Sequence, residues 1–223
     1  IQKIFWQLWA AIEEELIVPV GENYKLLQVE DNILEKGDEF HFQFQHDRVQ
    51  QATYNLLSTK ERKEIHLQIG QMLLSDKEEL ESNLFDIVNH LNEARELLSS
   101  EEEKLNLALL NLKAGKKARV ATAYQSAQRY LKNASDFLGT KYWESHYKEA
   151  FEAHLQLAEI YYLSGEYELF DKVIEQCQNH AQNPIDESEI SYQLILRHTM
   201  TSEHEQSIDF ARQGLKKLGF DFP

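Results

Sequence analysis

From Glu101 to Pro223 the apolar residues recur every three to four positions, and no stretch alternates between apolar and polar. That period gathers side chains on one face of a helix, so more than half of the chain is confined to helices. Small and aromatic residues recur there in register. Gly115, Ala118, Ala127, Leu131 and Ala134 set a pattern that Ala158, Tyr161, Gly165, Phe170, Ile174 and Cys177 repeat, starting 43 residues on. A poorer third copy runs from about Glu187 to Leu218, with Ser207, Ala211 and Gly214 on its second helix. The spacing predicts helix–turn–helix units. A lone pair cannot bury its apolar stripe, so the units stack, and the stack curves to present a concave wall. Pro184 and Pro223 fall between helices and at the end, as this layout requires.

The spacing is similar to that of tetratricopeptide repeats, and the unequal period makes these tetratricopeptide-like units. Ahead of them the pattern is mixed. Residues 1–17 predict a helix with Ile4, Phe5, Leu8, Trp9, Ile12 and Leu16 on one face, ended by Pro19 and Gly21. Tyr24–Val29 and Glu39–Phe44 predict two strands joined by an acidic turn at Glu35-Lys36-Gly37-Asp38. Phe40, Phe42 and Phe44 share one face of the second strand. At His46 the period then changes, and Val49, Ala52, Tyr54, Leu56 and Leu57 follow the spacing of a buried helix stripe. His46-Asp47 thus sits at a strand-to-helix joint, where free N–H groups accept a capping side chain or an anion. Ser58-x-x-Glu61 is a capping-box pattern opening a helix through Leu74. Ser75–Ser82 is a polar break, and Leu84–Leu98 is helical with Phe85, Val88 and Leu91 as core candidates. Ser99-Ser100 before Glu101-Glu102-Glu103 is a further helix start.

Phe44-x-His46-Asp47-Arg-Val-Gln-Gln-Ala-x-Tyr-x-Leu resembles the end of the winged-helix part of a signal-transduction ATPase of the STAND class, in the form fused to Ser/Thr kinase and histidine kinase domains. The resemblance continues through Arg62-x3-His66-Leu-x-Ile69-Gly70-x2-Leu73 and Leu84-Phe-Asp-Ile-Val-Asn-His-Leu91, and reaches Tyr161-Tyr-Leu-Ser-Gly165. It implies a mainly α fold: a partial winged helix with a small β-hairpin, followed by a tetratricopeptide-like α-α superhelix. The expected domains are a winged-helix remnant with its following helix over 1–75, a linking helix over 76–100 and helical repeats over 101–223. The remaining helices of the winged helix would lie before Ile1, in a longer parent protein. In that family a Met-His-Asp-type motif occupies the joint, and its His touches the phosphate of ADP. By resemblance, His46 is the nucleotide sensor of the intact protein and Asp47 its orienting neighbour. Gln45 stands where the family has Met. The alternative is that both residues simply cap the helix.

Several functions are excluded or disfavoured by what the chain lacks. Its formal net charge of −15 opposes phosphate backbones, and Glu13-Glu14-Glu15 in the helix before the wing, with Lys3 its only base, would repel a duplex. No P-loop is present: the nearest approach, Ala114-Gly115-Lys116-Lys117, has Leu110 in place of the first Gly and Lys117 in place of Ser/Thr. The single Cys177 fits a buried inert thiol and a reducing cytosol. The nine His residues show no His-Glu-x-x-His spacing, and one Cys makes no Cys-x-x-Cys clamp, so no metal is expected. No run of some 18 apolar residues marks a membrane span.

Two surface candidates remain. Lys113, Lys116, Lys117 and Arg119 form the main basic cluster, either a seat for an acidic partner or nucleotide domain, or a solvated helix face. Trp143, Tyr147 and Phe151 fall at i, i+4 and i+8, either helix-pair core or a partner-facing groove. The expected function is non-catalytic: a cytoplasmic relay coupling a nucleotide-binding domain, which holds the ATP or ADP, to a helical protein-interaction surface. Its partners are the parent's own nucleotide-binding and kinase domains or a signalling protein. The alternative is a self-standing peptide-binding module.

Overall fold

A computed structural model describes residues 2–21, 23–28, 40–76 and 79–220. Among them are ten α-helices and one two-stranded sheet. The chain divides into two compact units, residues 1–63 and 64–223.

The first unit opens with α1 (Gln2–Glu13), which stops earlier than its pattern predicts. Glu15 takes the left-handed conformation (φ 56°), and the Leu16 N–H reaches back to the Ala11 carbonyl at 2.9 Å. That closes the helix as a Schellman turn. Freed from the helix, the β-branched run Ile17-Val18-Pro19-Val20 becomes strand β1 (Ile17–Val20), antiparallel to β2 (His41–Phe44). The expected partner of β2, Tyr24–Val29, is instead a 3-10 segment over Asn23–Gln28; Val29, the turn at Glu35–Asp38 and Glu39 lie outside the described residues. Pro19 misled because it reads as a helix stop. The Gln45 N–H donates to the Leu16 carbonyl at 3.1 Å, so that pair is hydrogen-bonded. Strict alternation then makes Pro19–Phe42 a non-hydrogen-bonded pair, and the N–H that proline lacks is one β2 does not need.

Phe5 and Leu27 are buried in this unit, Phe5 with its ring 6.3 Å from that of Phe42 and 5.3 Å from that of Trp9. Helix α2 (Asp47–Leu56) corrects a second expectation. Its apolar stripe is not buried: no α2 residue is, and Leu56 is 85% exposed. Helix α3 (Thr59–Ser75) has the expected capping box. The Ser58 N–H donates to the Glu61 carboxylate at 2.8 Å, and the Glu61 N–H donates to the Ser58 hydroxyl at 3.3 Å.

The second unit holds α4 (Leu84–Glu93) and three helical hairpins. These are α5 (Glu101–Val120) with α6 (Tyr124–Lys141), α7 (Tyr147–Leu163) with α8 (Tyr167–His180), and α9 (Pro184–Met200) with α10 (His204–Lys217). Each helix from α5 to α10 packs on the next, and the first helices α5, α7 and α9 also touch in succession. The hairpin turns place Thr122, Gly165 and Ser202 in the left-handed region, 43 and then 37 residues apart. Ala118, Ala127, Leu131, Ala134, Ala158, Phe170, Ile174 and Cys177 are all buried, as their spacing predicts. Gly115 is small by necessity: a Cβ there would meet Leu131 Cγ at 2.5 Å. In α4, Leu84 and Ile87 join Val88 and Leu91 in the core, while Phe85 is partly buried and stacks on Tyr130.

Candidate functional site

His46 closes the extended run from β2 (φ −137°, ψ 137°) and is the N-cap of α2. Its carbonyl accepts from the Val49 and Gln50 N–H groups at 2.9 and 3.3 Å, so the backbone caps the helix. Its side chain makes no capping hydrogen bond and is exposed. The alternative, that the His46 side chain caps the helix, is therefore not met. Asp47 is the first residue of α2, where a carboxylate faces the positive end of the helix dipole. The joint thus presents an uncommitted imidazole beside unpaired first-turn N–H groups, a donor set that suits an anionic oxygen. It supplies one edge of a phosphate site; the described residues offer no glycine-rich cradle to complete it.

The basic cluster on α5 is already engaged. Lys113 pairs with Glu81, Lys116 with Glu152 of α7, and Arg119 with Glu159 of α7 at 2.7 Å. Lys117 donates to the Glu81 carbonyl at 2.8 Å and sits over the Phe85 ring. Lys113, Lys116 and Lys117 are exposed, so these side chains tie α5 to its neighbours from a solvated helix face.

The aromatic row needs a correction. Trp143 is not on the helix of Tyr147 and Phe151 but in the turn before α7, whose first residue is Tyr147. Trp143 stacks on His180 (4.1 Å, 9°) and lies 4.7 Å from the buried His154 ring. The Tyr147 hydroxyl donates to Asp186 and accepts from the Gln182 N–H at 3.1 Å, and burial pushes its pKa up. Phe151 is buried and stacks on Tyr147. Trp143 and Tyr147 join successive hairpins, and Phe151 belongs to the core beneath Tyr147.

No protein-family model matches the chain, and no solved structure matches it. Among curated proteins it is 27% identical over 204 residues to Hybrid signal transduction histidine kinase G of Dictyostelium discoideum. The chain is similar to a segment of a large kinase. The match takes in 80% of this chain and spans 6% of that protein's length.

Two polar pairs in the second unit had no sequence signal. The Asn92 and Asn111 amides exchange hydrogen bonds at 3.0 and 2.9 Å, and Asn111 also donates to the Leu107 carbonyl. His66 and His90 meet through their Nδ1 atoms at 2.8 Å, one donating and the other accepting. Partners 19 and 24 residues apart on different helices follow no helical period, so only the packing brings them together. Among the described residues no group of three or more His, Cys, Asp or Glu could hold a metal, and no helix is long and apolar enough to cross a membrane.

Proposed function

We propose that this chain is a non-catalytic relay segment of a multidomain signalling kinase, coupling a nucleotide-binding domain to a stack of helical hairpins. The exposed, uncapped imidazole of His46 at the strand-to-helix joint carries this reading. It is poised to meet a phosphate that a preceding domain cradles. His46 then holds the nucleotide, ADP in the closed form, and Asp47 orients the joint. ATP or ADP belongs to the parent protein, since this chain brings one edge of the site. Similarity to a hybrid signal transduction histidine kinase supports the signalling context. Further support comes from the apolar side chains the first unit shows: Trp6 is 51% exposed, and Val20, Phe44 and Leu56 are exposed too. A neighbouring domain would cover such a surface. The hairpin stack, tetratricopeptide-like in spacing, biases the nucleotide equilibrium through contacts that differ between the two nucleotide states.

The peptide-binding alternative needs an open groove along the first helices. The pairs Lys116–Glu152 and Arg119–Glu159 bridge α5 to α7 across that wall, which favours the relay. The test is His46→Ala in the full-length protein. Because the side chain is exposed, the variant folds, and ADP retention falls; unchanged retention with unchanged signalling output removes the sensor role.

A further inference from the structure

A cavity of the second unit lies far along the chain from His46, and it stands independently of the relay reading. It holds about 370 Å³ and opens between the segment after α4 and helices α5 and α6. That volume is within the range of small-molecule sites, which are apolar chambers with a few placed polar groups. Leu98, Leu107, Ala108 and Phe137 supply the apolar lining.

The polar lining is rich in donors. Asn111 is only 1% exposed, and its reciprocal pairing with Asn92 fixes both amides, leaving Asn92 with an N–H to spare. The Asn133 amide and the Arg95 guanidinium have no hydrogen-bond partner among the described residues. The charged groups beside them are spent: Asp136 is paired with Lys132 at 2.5 Å, and Lys104 with Glu101 at 3.2 Å. One uncommitted cation, two sets of amide donors and an apolar chamber match a carboxylate on a compact apolar body. A planar guanidinium takes such a group through two parallel hydrogen bonds.

The geometry points to a binding site for a small organic monocarboxylic acid, with Arg95 and Asn133 holding the carboxylate and Leu98, Leu107 and Phe137 holding its apolar body. The neighbouring hairpins set this position apart. At the equivalent places on α7 and α9 stand His154 and Ser191, and each bonds to its own helix, His154 to the Ala150 carbonyl and Ser191 to that of Glu187. His154 and Ser191 also line chambers, but of the three positions Asn111 is the one whose side chain exchanges a reciprocal pair of amide hydrogen bonds with the preceding helix.

Three probes share one body and differ in head charge: indole-3-acetate, indole-3-acetamide and tryptamine. Titrated into the full 223-residue chain and followed by amide chemical shifts, the acid binds about tenfold tighter than the amide, and tryptamine binds weakest. The shifts map to residues around 92–111 and 133–137. Arg95→Gln, an exposed change that spares the fold, equalises acid and amide. Asn133→Trp closes the mouth and abolishes both, with the circular dichroism of the unliganded chain unchanged; if that variant unfolds, Arg95→Gln alone decides. The proposal is overturned if none of the probes binds at millimolar concentration, if the acid binds no tighter than the amide, or if the preference survives Arg95→Gln. Much tighter binding of N-acetyl-Ala-Trp than of indole-3-acetate also overturns it, in favour of a polypeptide C-terminus.

Discussion

His90 shows how one packed pair sets a pH dependence. Burial first, and then neighbouring His66, hold its imidazole below the ordinary value, with Asp86 pulling the other way. Burial lowers His154 in the same sense. The unfolded chain therefore binds these protons more tightly than the folded one. Stability is full above the unfolded value of about 6.5 and declines as pH falls from there towards the lower folded values. The thermal midpoint should drop between about pH 8 and pH 5, and His90→Asn should flatten part of that slope; an unchanged slope would remove His90 from the account. The capping carboxylates Glu61 and Glu103, lowered by their serine partners, act in a separate window below about 4.5. Cys177 is the opposite case, a group that titrates outside any working range. Burial pushes its thiol up to about 12. A disulfide reagent should leave it unlabelled in the folded chain at neutral pH and label it on unfolding; rapid native labelling would contradict its burial.

The hairpin turns carry the fold's clearest internal comparison. Three equivalent turns need a left-handed residue, and only the middle one has glycine: Thr122, Gly165, Ser202. A side chain there crowds the following carbonyl by roughly 1 kcal/mol. Thr122→Gly should therefore stabilise the chain by up to about 1 kcal/mol, and Gly165→Ala should destabilise it by a similar amount, both measured by urea unfolding. The same sign for both would mean the turns are not equivalent. These turns also explain what the sequence makes legible. The pairs from Glu101 onward could be read because Gly115 sits where packing admits no Cβ and Ala158 and Cys177 are fully buried, constraints that recur with the hairpins. The first unit resisted because its partners are remote. A proline that looks like a helix stop becomes a strand residue only through Phe42, and α2 has the period of a buried helix while no residue of it is buried. Of the candidate site, the joint at His46 was legible from the change of period. The Asn92–Asn111 array was not, since no spacing along the chain announces it.

A formal charge of −15 sets how the whole molecule meets its surroundings. The basic cluster of α5 is spent on Glu81, Glu152 and Glu159, so no free stripe of bases remains there to follow a phosphate backbone. A labelled DNA duplex should show no shift with the chain even at about 50 mM salt, and binding that weakens steeply with salt would restore the DNA reading. Stability along the stack is uneven for a related reason, because each hairpin is held only by its neighbours. Helix α7 touches α5, α6, α8 and α9 and has nine buried residues, Phe151 and Tyr161 among them. Helix α10 packs chiefly on α9 and buries only Ser207 and Gly214, leaving Ile208, Leu215 and Leu218 exposed. Local opening free energy follows buried apolar contact, so α10 should exchange its amide hydrogens first and α7 last. The gap should span several kcal/mol, of the order of the difference between a fraying end and a core helix. Arg197 of α9, which reaches Asp171 at 3.3 Å and Glu203 at 3.1 Å, links α9 to α8 and to the turn before α10. Arg197→Met should accelerate exchange in α10 while leaving α5 and α6 at their native rates. Uniform acceleration along all six helices would show instead that the stack opens as one body.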